Sequence, residues 1–366
     1  MRRVLIIAGG LQIGGAEKVA ANISKYAPGN EFEFHYLIFK GYDNIYGKEI
    51  IERGGKVFEI PSFLHNYLAY IKTVGNLIER YKYCAVHSHT MFNSGINLAI
   101  AKWHNVPVRI AHSHTTKTDT EVSVLQRMYE RIMQKSILLN ATDLFACGKD
   151  AGIWLYGEKA FKSRCKVILN GIDIYDNIYD SQNRRELRNK LQIEEKYVIG
   201  HVGSLLHVKN QKFLIDIFPE ILKNKPNALL LFLGEGPDLN DLREHACKMH
   251  LEDKIIFYGK TLEVNRFLSA MDVSAFPSFR EGTPLAVLEA QTNGLPCVIS
   301  KQVPKDVLLT DLVTYLPLND KQGWVKALCC AERREPEKYA AIMAESGYSA
   351  ACAYKPVYEA YERGYR

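Results

Sequence analysis

The densest group of chemistry-bearing residues in this 366-residue chain is Phe279-Arg280-Glu281-Gly282-Thr283-Pro284-Leu285-Ala286-Val287-Leu288-Glu289. A short apolar run, Val273–Phe276, precedes it, and a helical pattern follows. Thr283 suits an N-cap and Pro284 the first helical position. Gly282 has no side chain to hold a ligand away from the backbone. A helix N-terminus offers unsatisfied N–H groups and a favourable dipole to an anion such as phosphate. Glu281 falls at the mouth of the turn and Glu289 about two turns further on. A carboxylate there can accept hydrogen bonds from two neighbouring hydroxyls, as on a sugar or ribose. A well-capped surface helix with two ordinary glutamates fits the same letters equally well.

Three other segments carry possible chemistry. Gly9-Gly10-Leu11-Gln12-Ile13-Gly14-Gly15-Ala16-Glu17 is a glycine-rich turn after the first apolar run. It is neither a Walker A loop, because Ala16 stands where a lysine is needed, nor Gly-x-Gly-x-x-Gly. Two His-x-His pairs, His87-Ser88-His89 and His112-Ser113-His114, end strand-like runs. No acidic residue lies close enough in sequence to complete a metal-ligand set, so no metal is expected. A neutral histidine acting as a substrate contact or base fits better. Gly203-Ser204-Leu205-Leu206-His207-Val208-Lys209-Asn210 places Lys209 at a strand-to-helix turn, where it can meet a phosphate as a point charge. A lone loop lysine is more often simply solvated.

These segments need elements to position them. Apolar residues make up 47% and charged residues 24%, the balance of a folded globular protein with length enough for two domains. No apolar run reaches the ~20 residues of a membrane span, and the N-terminal apolar stretch is too short for a signal peptide. The eight cysteines include no Cys-x-x-Cys pair or zinc spacing, so reduced thiols and a cytoplasmic location are expected. Short, wholly apolar runs alternate with helix-length segments, the pattern of parallel sheets covered on both faces. The runs are Val4–Ala8, Phe34–Phe39, Lys56–Ile60, Ala85–His87, Val108–His112, Leu144–Cys147 and Lys166–Leu169. After a break at Asn170-Gly171-Ile172-Asp173 come Val198–Val202, Leu229–Leu233, Ile255–Tyr258, Val273–Phe276 and Pro296–Ile299. Helices are expected at 15–26, 122–139, 210–222 and 284–293. The reading is an α/β protein of two doubly wound, Rossmann-like domains, 1–175 and 176–351. A C-terminal helix at about 352–366 returns to the first domain.

Charge is uneven. Residues 1–170 hold 22 Lys+Arg against 14 Asp+Glu, and the remainder 25 against 27. The densest basic stretch is Lys149–Lys166, beside Trp154, Tyr156 and Phe161. Such a run is most often a solvated helix face. No nucleic-acid motif accompanies it, so no nucleic-acid partner is expected.

Taken in order, these motifs closely resemble the family-4 retaining glycosyltransferases of GT-B fold. The resemblance covers nearly the whole chain. It rests on Gly14-Gly15-Ala16-Glu17, His112, Asn170-Gly171-Ile172-Asp173, Lys209-Asn210, Gly234-Glu235-Gly236-Pro237, Phe257-Tyr258-Gly259, Ala270-Met271-Asp272-Val273, Pro277-Ser278 and the Glu281/Glu289 pair. The resemblance implies two domains facing each other across a cleft. The second would hold a nucleotide-sugar donor, most simply a uridine diphosphate sugar, and the first a glycan or lipid-linked acceptor. Lys209 and the backbone at Gly282 and Thr283 would neutralise the diphosphate without a metal or other cofactor. Glu289 would grip the ribose, Glu281 would contact the donor sugar or phosphate, and Tyr258 and Thr261 would flank the base. Gly15 would close over the diphosphate, and His112 would lie against the donor sugar. Gly14, Glu17, His89 and His114 would face the acceptor.

The chain departs from the family at Ser204, where these enzymes commonly carry a second phosphate-neutralising arginine. Lys260 or His207 would have to compensate, or turnover would be slow. The Val108–Thr116 region looks most like bacterial enzymes of capsular or exopolysaccharide synthesis, whose acceptor is usually a polyprenyl-diphosphate-linked sugar. The basic first domain is compatible with docking at the inner membrane face. The alternatives are a GT-B epimerase or phosphorylase, which the Glu281/Glu289 pair disfavours, and a non-catalytic sugar-nucleotide-binding subunit, which Ser204 alone favours. A nicotinamide dehydrogenase would need a dinucleotide fingerprint, and neither half has one.

Overall fold

The computed structural model describes residues 2–12, 14–29, 31–42, 44–61, 66–115 and 123–365. Ile13 of the glycine turn, Thr116 and Val122, the expected first residue of a helix, therefore lie outside the described residues, as do Met1 and Arg366. The chain divides into two compact units, 1–171 with 350–366, and 172–349. The sequence reading had put these divisions at 175 and 351.

In the first unit the strands are β1 (Arg2–Ile7), β2 (Phe32–Phe39), β3 (Lys56–Ile60), β4 (Ala85–Ser88), β5 (Val108–Ser113), β6 (Asp143–Ala146) and β7 (Cys165–Val167). They form one parallel sheet in the order β3-β2-β1-β4-β5-β6-β7. Val4, Leu5, Ile6 and Ile7 are all fully buried, because helices cover both faces of the sheet. One face packs on the helix Gly15–Lys25 and on the C-terminal segment, whose Tyr354, Val357, Tyr358 and Tyr361 join Phe32, Phe34 and Tyr36 in one core. The other face packs on the helices Tyr67–Tyr81 and Ser94–Trp103.

The second unit contains β8 (Tyr197–Val202), β9 (Ala228–Leu233), β10 (Ile255–Gly259), β11 (Val273–Phe276), β12 (Cys297–Ser300) and β13 (Val313–Leu316). These are also parallel, in the order β10-β9-β8-β11-β12-β13. β13 escapes the sequence reading because it is a half-exposed edge strand with no wholly apolar run. Asp272, just before β11, accepts hydrogen bonds from Arg184, from Arg188 and from the backbone N–H of Val198, and so ties the starts of β8 and β11 to the helix Ser181–Leu191.

Strand order reverses at β1/β4 in the first sheet and at β8/β11 in the second. In doubly wound sheets the crevice for a ligand opens beyond the strand ends at such a point. The glycine turn follows β1 and His87–His89 spans the end of β4, while residues 203–210 and 277–283 follow β8 and β11. All four chemistry-bearing segments thus sit where their own sheet can bind a ligand.

Candidate active site

In the second unit, β8 ends at a buried histidine that organises the loop beyond it. His201 Nδ1 donates to the Ala275 carbonyl of β11 at 2.8 Å, and its Nε2 accepts from Gln211 at 3.1 Å. Gln211 also donates to the Ser204 carbonyl at 2.9 Å. Burial pushes the His201 pKa down to about 4, so the ring holds this network as a neutral group. Asn210, in the left-handed region at φ 55°, donates its side-chain amide to the Pro277 carbonyl at 3.1 Å. The Phe279 N–H donates to Val208 at 2.8 Å, and the His207 ring stacks on Phe279. A Cβ on Gly234 would lie 2.1 Å from the Gly203 carbonyl oxygen, and one on Gly236 would lie 2.1 Å from that of Leu205. Those two glycines are required by the close approach of the loops.

This scaffold brings two of the expected site residues into direct contact. Lys209 Nζ lies 2.7 and 2.6 Å from the two carboxylate oxygens of Glu281, and Ser278 Oγ donates to Glu281 Oε1 at 2.6 Å. The Glu281 side chain is only 7% exposed and that of Lys209 24%. The sequence reading gave them separate tasks, whereas the structure makes them one ion pair.

The helix that follows runs Leu285–Thr292, with Pro284 at the N-cap in an extended conformation and no side-chain cap. Two sequence expectations are corrected here. Thr283 does not cap the helix, and Pro284 precedes the first helical position. A proline biases the residue before it away from helical angles, and its own ring accommodates the extended entry. The first-turn N–H groups therefore receive no side-chain cap. Gly282 is exposed, and a Cβ there would meet nothing within 4 Å. Packing does not demand glycine at 282, which leaves backbone access as its physical use. Glu289 is buried at 3% exposure.

Tyr258 near the end of β10 and Thr261 just beyond it are three strands from β11, so they and Glu281 mark opposite sides of the same sheet end. The Tyr258 ring packs on Phe267, and the Thr261 hydroxyl accepts from the Glu263 N–H at 3.0 Å. Of the two substitutes for a missing arginine, Lys260 pairs with Glu235 at 3.4 Å and His207 stacks on Phe279. Ser204 itself is exposed.

In the first unit, Gly14 is the extended N-cap of the helix Gly15–Lys25. The Glu17 carboxylate folds back over it, since a Cβ on Gly14 would lie 2.3 Å from Glu17 Oε2. Burial raises the Glu17 pKa, only partly opposed by a backbone hydrogen bond. A Cβ on Gly15 would meet nothing within 4 Å.

All four histidines of the two His-x-His pairs converge at the ends of β4 and β5, His87 and His112 within the strands and His89 and His114 just past them. His87 Nε2 and His112 Nδ1 are 3.2 Å apart with their rings parallel to within 1°, and His89 Nδ1 and His114 Nε2 are 2.7 Å apart. His87 Nδ1 meets the Tyr361 hydroxyl at 2.6 Å. Burial, and secondarily the mutual repulsion of protonated rings, drives His87, His89 and His112 well below the ordinary histidine pKa, while burial brings His114 to about 4. The cluster is therefore neutral. Among the described residues, His89 Nε2, His112 Nε2 and His114 Nδ1 are buried without a hydrogen-bond partner. Nitrogen atoms of His87, His89 and His112 lie within 4.8 Å of one another, close enough to share a metal ion. Both ring nitrogens of His87 already have partners, so ligation there would have to break a hydrogen bond.

Sequence reasoning named His87 and Ser278 within motifs but assigned neither a task, and it did not select His201, Gln211 or Tyr361. Ser278 had a local signal in its position three residues before Glu281. Tyr361 had none, because 274 residues separate it from His87.

Residues 13–175 match the family described as Glycosyltransferase Family 4, and residues 183–339 match Glycosyl transferases group 1. EpsF of Bacillus subtilis (strain 168), described as a glycosyltransferase, is 31% identical, the match covering 95% of this chain and 93% of that one. The UDP-Gal:alpha-D-GlcNAc-diphosphoundecaprenol alpha-1,3-galactosyltransferase of Escherichia coli is 26% identical over 86% of this chain and 84% of its own. Among solved structures, Anabaena Alr3699/HepE in complex with UDP and glucose superposes with a TM-score of 0.76 at 18% identity, covering 98% of this chain and 99% of that one. With both units matched and full-length similarity above 30% identity, the chain belongs to the family-4, group-1 glycosyltransferases of GT-B fold.

Proposed function

We propose that this glycosyltransferase moves a hexose from a uridine diphosphate sugar to a polyprenyl-diphosphate-linked glycan in cell-surface polysaccharide assembly, with retention at the anomeric carbon and without a metal. The observation that carries the donor site is the Lys209–Glu281 pair, set at a strand-order reversal beside an uncapped helix N-terminus and the open backbone of Gly282. The Escherichia coli relative, whose name specifies a UDP-galactose donor and a diphosphoundecaprenol acceptor, supports the substrate classes.

In this reading Lys209 and the N–H groups near Gly282 and Thr283 stabilise charge on the departing diphosphate, where preorganised donors act most strongly. Glu281 orients Lys209 and meets the donor sugar. Glu289 accepts from the ribose hydroxyls, and Tyr258 and Thr261 flank the base. Gly15 offers its N–H to the diphosphate, and His112 contacts the transferred sugar as a neutral ring. Gly14, Glu17, His89 and His114 serve the acceptor.

The acceptor lipid implies a membrane partner, and the helix Val124–Asn140 offers a surface for one. Val124, Leu125, Met128, Ile132 and Leu139 are all more than half exposed and fall within about a 100° arc of the helix. Arg127, Arg131 and Lys135 are exposed on the same helix, whose one acidic residue, Glu130, is half-buried. An apolar stripe with basic companions suits an anionic bilayer surface. No helix among the described residues is long and apolar enough to cross a membrane.

The test is to incubate the protein with UDP-hexoses and a polyprenyl-diphosphate-linked sugar in EDTA, then determine the new linkage by NMR. An α-linked product from an α-configured donor is expected. A β-linked product, or transfer that requires a divalent metal, would overturn the reading.

A further inference from the structure

The arrangement of Tyr361, His87 and His112 determines where the proton of His112 sits. The Tyr361 ring is fully buried against Phe32 and Phe34, and its hydroxyl lies 2.6 Å from His87 Nδ1. Among the described residues that nitrogen is the hydroxyl's one hydrogen-bond partner. A phenol has one proton to donate, and burial keeps this one protonated. If His87 Nδ1 carried the hydrogen instead, the buried tyrosine proton would be left without an acceptor, which is costly. Tyr361 therefore donates, and His87 Nδ1 is the accepting lone pair.

The rest follows from the chemistry of a neutral imidazole, which has one N–H and one lone pair. His87 must carry its hydrogen on Nε2, which faces His112 Nδ1 at 3.2 Å. His112 Nδ1 then accepts, and its hydrogen resides on Nε2, which is buried and without a partner among the described residues. We infer that Tyr361 and His87 are positioning residues that fix His112 as an Nε2–H donor, aimed at an oxygen of the bound substrate and unable to act there as a base. The functional consequence rests on the proposed role of His112 as a sugar contact. The tautomer itself does not. The device is built from distant parts of the chain, since the C-terminal helix Lys355–Glu362 supplies the hydroxyl.

Reversing the chain would require the tyrosine to give up its acceptor. The other two rings are not fixed in this way. His89 and His114 share one hydrogen bond, and among the described residues no third group orients it, so either can be the donor. The cluster thus offers one defined donor and one interchangeable donor–acceptor pair, a combination that suits sugar hydroxyls, which both give and take hydrogen bonds.

The experiment is long-range 1H–15N correlation NMR of the histidine rings in the intact 15N-labelled protein at pH 7.5, with His112→Gln and His87→Gln used for assignment. His87 and His112 are both expected as Nε2–H tautomers with bare Nδ1. In Tyr361→Phe, which keeps the ring packing, both signals should move to mixed tautomers. The kcat for transfer should fall about tenfold, the worth of one neutral hydrogen bond, while UDP affinity stays within about twofold. An Nδ1–H tautomer for His112 in the wild type would overturn the inference, and so would Tyr361→Phe spectra identical to wild type. If Tyr361→Phe does not fold, the wild-type spectrum still decides. Correct tautomers in a protein that transfers no sugar would sink the proposed function and leave the relay standing.

Discussion

Lys209 and Glu281, 72 residues apart in sequence, form a two-pronged ion pair with N···O distances of 2.7 and 2.6 Å. The lysine expected to meet the diphosphate is thus oriented by the glutamate expected to meet the sugar. The two are energetically coupled through this contact.

That coupling is measurable. Lys209→Met should weaken UDP binding by about 10–100-fold, the worth of one charged hydrogen bond. It should also destabilise the protein by about 1–3 kcal/mol, because among the described residues the Glu281 carboxylate keeps only Ser278 as a side-chain partner. Glu281→Gln should leave UDP affinity within about threefold but depress transfer. In a double-mutant cycle followed by urea unfolding, the Lys209→Met/Glu281→Gln protein should be more stable than Lys209→Met alone. Additive losses would show that the pair is not a unit.

Ser204 is exposed on the loop that carries Lys209, with Lys260 paired to Glu235 and His207 stacked on Phe279. Ser204→Arg should therefore add a cation on an exposed position of this loop, tightening UDP binding by about tenfold. Calorimetric titration checks this, and unchanged affinity would mean that no cation role is unfilled there.

The pH dependence of stability follows from the histidine cluster. His87, His89, His112 and His114 titrate below the ordinary value of 6.5 when folded, so between the two values the unfolded chain binds more protons. Stability is fully present above about pH 6.5 and is lost as pH falls towards the folded values, by up to roughly 1.4 kcal/mol per pH unit for each ring. The free energy of amide-exchange protection in β4 and β5, with the intrinsic slowing at lower pH divided out, should fall steeply as pH drops from 6.5 to 5.5. A flat protection free energy over that range would contradict the buried, neutral cluster.

The exposed face of the helix Val124–Asn140 makes a separate prediction. Leu125→Glu/Met128→Glu should abolish sedimentation with anionic phospholipid vesicles while leaving UDP affinity unchanged, because neither residue belongs to the proposed donor site. Equal sedimentation of wild type and variant would assign the membrane contact elsewhere.

Much of the fold was legible because parallel strands buried on both faces are written as continuous apolar runs, as in Val4–Ile7 and Leu229–Leu233. The half-exposed edge strand Val313–Leu316 lacks such a run and was missed. Motifs at strand ends were visible for a related reason, since glycine, histidine and lysine stand out against apolar runs. Partnerships were not legible. Nothing near Lys209 announces Glu281, and nothing near His87 announces Tyr361, because only the folded sheet brings them together. Thr283 and Pro284 illustrate a subtler miss, in which capping preferences named the right turn but misplaced its residues by one.

The central claim is a metal-independent uridine diphosphate site in the second unit, and calorimetric titration of UDP in EDTA tests it most directly. Wild type should bind UDP with EDTA present, and Glu289→Ala, which removes the proposed ribose contact, should bind at least about tenfold more weakly. No binding of UDP by the folded wild type, or equal binding by Glu289→Ala, would contradict it.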